Sequence, residues 1–77
     1  MQHPMKTVLV FKTSVTTSSK IQKVKPLLDK LMASGEKWNF DLEDCDNILR
    51  VEAISLQPDA IIQNLQNAGF ICAELAD

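Results

Sequence analysis

Lys6-Thr7-Val8-Leu9-Val10-Phe11-Lys12-Thr13, running on into Ser14-Val15-Thr16-Thr17-Ser18-Ser19-Lys20, is the stretch whose reading decides the fold. Val8 to Phe11 are strand formers that put apolar side chains on both faces. This predicts a strand from Lys6 to Thr13 in the middle of a sheet rather than at its edge. Thr16, Thr17, Ser18 and Ser19 are all able to cap a helix. Beyond them Ile21, Val24, Leu28 and Leu31 recur at helical spacing, with Leu27 and Met32 widening the stripe, which predicts a helix from about Ser19 to Met32. Lys20, Lys23, Lys25, Asp29 and Lys30 take the outer face. Pro26 removes one backbone hydrogen bond, so the helix either kinks there or begins only near Lys25. The apolar spacing continues across Pro26 and favours one kinked helix. Gly35 is the candidate C-terminal cap.

Further along, Trp38, Phe40 and Leu42 alternate with Asn39, Asp41 and Glu43, the pattern of a half-buried strand. Residues 43–47 read as a turn. Ile48 to Ala53 then forms a strand with Leu49, Val51 and Ala53 inward and Arg50 and Glu52 outward, antiparallel to its predecessor. Pro58 suits the first position of a second helix, and Asp59 suits the positive end of its dipole. Ile61, Ile62, Leu65 and Ala68 make the apolar stripe, and Gly69 stops it. Phe70 to Leu75 is a last short strand. The order βαββαβ is that of the ferredoxin-like α+β sandwich. Right-handed crossovers give an antiparallel sheet of order 4-1-3-2, with two helices on one face and the other face open.

The chain has 77 residues, which is one domain: a flexible leader over 1–4 and a folded unit over 5–77, with Met5 a candidate internal start. Eight Lys and Arg against ten Asp and Glu leave a net charge of −2 with no basic stripe, so nucleic-acid binding is not expected. Neither a membrane-length apolar run nor a signal-peptide pattern is present, and the expected setting is cytoplasmic with reduced thiols. A disulfide between Cys45 and Cys72 remains the alternative.

The topology brings three loops to one end of the domain: 13–20, 43–47, and the Gly69-Phe70 corner. That end, with Thr16, Thr17, Ser18, Lys20, Cys45 and Phe70, is where a site is expected. The helix N-terminus there could attract an anion, or the hydroxyls could simply cap the helix. Cys45 is a stray soft ligand, a redox-sensitive thiol, or a tolerated turn residue. Cys72 reads as a small buried apolar residue. Asp41, Glu43, Asp44 and Asp46 lack the glycine and terminal glutamate of a calcium loop and read as a solvated acidic hairpin. His3 has no partner for catalysis, and Trp38 reads as a core or edge anchor. No nucleophile–base pair, glycine cradle or metal-ligand cluster appears, so neither an enzyme nor a bound cofactor is expected.

Lys6-Thr7-Val8-Leu9-Val10-Phe11 leading into Val15-Thr16, then Lys23-Val24, Asp41-Leu42, Leu49 to Glu52, and Ala68-Gly69-Phe70 together resemble the heavy-metal-associated domains of copper chaperones and metal-pumping ATPases. The resemblance spans about Met5 to Leu75 and implies the same fold. That family binds soft ions through two cysteines separated by two residues, placed where the first strand meets the first helix. Here the two positions fall on Thr17 and Lys20, neither of which replaces a thiolate. The resemblance therefore implies a domain without the usual metal site, acting through an unknown protein partner. The other reading is a Cu(I)- or Zn(II)-binding protein using Cys45, Cys72, Met5 or His3.

Overall fold

A computed structural model describes residues 6–41 and 47–75. The elements run β1 (Thr7–Thr13), α1 (Ser18–Leu31), β2 (Lys37–Asp41), β3 (Ile48–Ala53), α2 (Pro58–Asn67) and β4 (Cys72–Glu74). The four strands form one sheet of order β2-β3-β1-β4, with antiparallel pairing at each step. This is the expected ferredoxin-like α+β arrangement, with the apolar first strand in an interior position.

Register explains which side chains reach the core. Leu9 pairs with Val51, Phe11 with Leu49, and these two β3 residues pair in turn with Trp38 and Phe40. Strand alternation sends all six to the same face. Val24 and Leu28 of α1 and Ile61 and Leu65 of α2 complete a cluster in which Phe11, Leu28, Leu49, Val51, Ile61 and Leu65 have no exposed surface. Trp38 and Phe40 lie at its margin, edge to face, with ring centroids 5.9 Å apart. The Trp38 indole N–H donates to Asp29 Oδ1 at 2.8 Å, tying the edge strand to α1.

Of the two expectations for Pro26, the delayed start near Lys25 is overturned: α1 begins at Ser18 and runs through Pro26 to Leu31. Pro26 and Gln22, whose carbonyl would have accepted the missing bond, are both exposed, so water can replace that bond.

Three expected boundaries are corrected. Helix α1 is capped at Met32, whose backbone turns extended while its N–H bonds the Leu28 carbonyl; Gly35 is not the cap. Gly35 instead takes φ +88° in the following turn, closed by Glu36 N–H to Ala33 O at 3.0 Å. Ala68 is exposed rather than part of the α2 stripe, because it forms the C-cap. The final strand is Cys72–Glu74 rather than Phe70–Leu75, since Phe70 belongs to the end of α2. Gly69 at φ +92° donates to Gln66 O, and Phe70 donates to Leu65 O, both at 2.9 Å. Those are the two bonds of a Schellman ending, in which the residue after the glycine packs back onto the helix. Phe70 does so against the core cluster.

Candidate functional site

Hydrogen bonds fasten two other parts of the chain to the segment where β1 ends. Thr13 is 5% exposed, and its hydroxyl donates to Asn47 O at 2.7 Å and accepts from Val15 N–H at 3.2 Å. Ser14 exchanges two bonds with Ile71: its N–H donates to Ile71 O at 3.1 Å, and its Oγ accepts from Ile71 N–H at 2.8 Å. Residue 47 and the 69–71 corner are thus both fastened to the 13–17 loop. Asn47 has φ 52°, a left-handed conformation that asparagine tolerates better than most residues.

The expected site residues at this end divide by role. Thr17 is the N-cap of α1, its hydroxyl accepting from Lys20 N–H at 3.2 Å. Lys20 Nζ folds back onto Thr16 Oγ1 at 3.1 Å. Ser18 is the exposed first residue of the helix. Phe70 serves the end of α2 and the core. Capping therefore accounts for Thr17, and the ammonium one turn into the helix repels cations rather than collecting them. Cys45, the rest of its acidic turn through Asp46, and His3 and Met5 lie outside the described residues. Cys72 is 4% exposed, and burial pushes its thiol up to about 11, which leaves little thiolate at neutral pH. Among the described residues, no group of three or more His, Cys, Asp or Glu is placed to hold a metal ion, and no helix is long and apolar enough to cross a membrane.

The other candidate surface is the sheet face turned away from the helices. Its cross-strand rows are Lys37-Glu52-Val8, Asn39-Arg50-Val10 and Asp41-Ile48-Lys12-Ala73. Asn39, Asp41, Arg50 and Glu52 decorate it as alternation predicts. Arg50 stands 3.6 Å from Asp41, and Lys6 stands 3.9 Å from Glu52. Both pairs are solvated and contribute little to stability. Val8 is 56% exposed in an interior strand, and Leu75, 40% exposed, donates its N–H to Val10 O at 2.8 Å. Val8, Lys37, Asn39, Arg50 and Glu52 of this face line a depression that also touches Trp38 of the edge strand.

Sequence reasoning missed Glu36. It is 7% exposed, and its carboxylate accepts four backbone N–H groups: Ala33 at 2.8 Å on Oε1, and Ile54, Ser55 and Leu56 at 2.7, 3.0 and 3.0 Å on Oε2. Those bonds, Ala33's foremost, lower its pKa from 4.5 to about 2. The available signal was its place just after Ser34-Gly35, in a turn beside the start of a strand. Three of its four partners lie 18 to 20 residues further on and could not be read from that. Comparison with family models, with curated proteins and with solved structures gives no match to this chain.

Proposed function

We propose that this chain is a non-enzymatic interaction domain that engages a protein partner through the open face of its sheet. The carrying observation is Val8, 56% exposed on an interior strand and flanked on the same face by Val10, Arg50 and Glu52. An apolar residue ringed by solvated charges is the composition of a transient interface, whose centre is apolar and whose rim is polar. The likeness to heavy-metal-associated domains supports the same reading, with Thr17 and Lys20 in place of the thiolates and no bound cofactor. A free, buried Cys72 is in keeping with a reducing, cytoplasmic setting.

Two experiments test this reading. A photo-crosslinking residue at position 8 is expected to capture one protein partner in the producing cell. The same residue at Lys23, on the outer side of α1, is expected not to capture it. Equal capture from both positions overturns the assignment of the surface. Anaerobic titration of the reduced protein with Cu(I) and with Zn(II), followed by amide NMR, is expected to give no saturable shift. Saturable shifts over 13–20 would replace the interaction reading with a metal-binding one.

A further inference from the structure

We infer that the backbone N–H groups of Ile54, Ser55 and Leu56, together with that of Ala33, form a carboxylate receptor that exists independently of Glu36. A free small carboxylate then takes the place of the Glu36 side chain when that side chain is removed. Three consecutive N–H groups converge on a single oxygen, Oε2, while Ala33 serves the other oxygen from a separate segment. Successive main-chain N–H groups aimed at one point make an anion-binding concavity without any cationic side chain. Division of the donors between two oxygens favours a planar carboxylate over a spherical halide.

The receptor's walls are held by contacts in which Glu36 takes no part. Ala53 is 2% exposed and paired with Thr7, which fixes the loop where it leaves β3. Leu56 packs on the core cluster, and Pro58 begins α2 two residues later. On the opposite wall Ala33 directly follows Met32, the cap of α1. Glu36 is thus an internal ligand, and its carboxylate ties the 33–36 turn to residues 54–56.

The test is thermal unfolding of Glu36→Ala in sodium acetate and in sodium chloride of equal ionic strength. The intact chain and Leu28→Ala, whose cavity lies in the core, serve as controls. Acetate at ten times its dissociation constant is expected to raise the folding equilibrium constant of Glu36→Ala about elevenfold over chloride. The amide resonances of Ala33, Ile54, Ser55 and Leu56 should shift together along the same titration. Neither control is expected to distinguish acetate from chloride. An equal acetate response in Glu36→Ala and Leu28→Ala overturns the inference. Should Glu36→Ala be unfolded in chloride, a folded spectrum appearing in acetate supports the receptor, and an unfolded chain in both salts overturns it.

Discussion

Where β1 ends, residue 47 and the 69–71 corner are fastened to the 13–17 loop by neutral groups: the Thr13 and Ser14 hydroxyls and backbone amides, with the Thr17 cap beside them. At the opposite end, where β3 runs into α2, one carboxylate collects four backbone N–H groups. Both ends face the same requirement, since backbone polar groups taken out of water need partners. They meet it differently. The loop end spreads the task over several short side chains, each serving its own neighbourhood. The Glu36 end concentrates it in one charged residue that joins two segments distant in sequence. Loss of any one group should therefore be mild at the first end and severe at the second, and only the second should respond to acid.

Leu28→Ala sets the scale for this comparison. It removes a fully buried side chain from the core that both ends share, and is expected to cost about 2–5 kcal/mol. Denaturant unfolding checks it, and a near-neutral result would mean the helix faces are misplaced. Next comes the acid response. A carboxyl held at about 2 against an ordinary 4.5 binds its proton less readily when folded than when unfolded. Its contribution is complete above pH 4.5 and disappears as pH falls towards 2. The intact chain should lose thermal stability over that window, and Glu36→Gln should start lower at neutral pH and lose less. Parallel curves for the two proteins would remove the contrast between the ends.

Smaller effects sharpen the loop end. Gly69→Ala meets no atom within 4 Å but must adopt φ +92°, so a cost of roughly 1–2 kcal/mol is expected from conformation alone. Chemical denaturation should show it with the slope unchanged. Thr17→Ala removes the α1 cap and should cost about 1 kcal/mol, with Thr17→Ser restoring most of it. Val8→Thr, on the open face, should leave the unfolding midpoint within about 0.5 kcal/mol of the intact chain. At that position the effect belongs to partner capture rather than to folding.

Much of the fold was legible because its signals are local. Helical spacing across Ile21 to Leu31, alternation over Trp38 to Phe40, and Pro58 at the start of α2 depend on residues a few positions apart. The Val8-to-Phe11 run correctly asked for an interior strand. Val8 stands open, 56% exposed, on the face that the expected topology leaves without helices. The final strand was overextended: Phe70 is apolar whether it pairs in a sheet or closes a helix, and only the Gly69 conformation separates the two.

By itself the sequence determined the element order, the inward residues Leu49, Val51 and Ala53 of β3, and Thr17 as one of four possible caps. These follow from side-chain size, polarity and spacing along the chain. Tertiary structure alone decided that Thr13 would hold Asn47, that Phe70 would serve the end of α2, and that Glu36 would be buried as an anion. A glutamate after a Ser-Gly turn is ordinarily a solvated surface residue. It becomes the fastening of one end of the domain because folding brings the N–H groups of residues 54–56 to it. Hydrogen bonds between segments so far apart in the chain leave no periodic trace in the sequence.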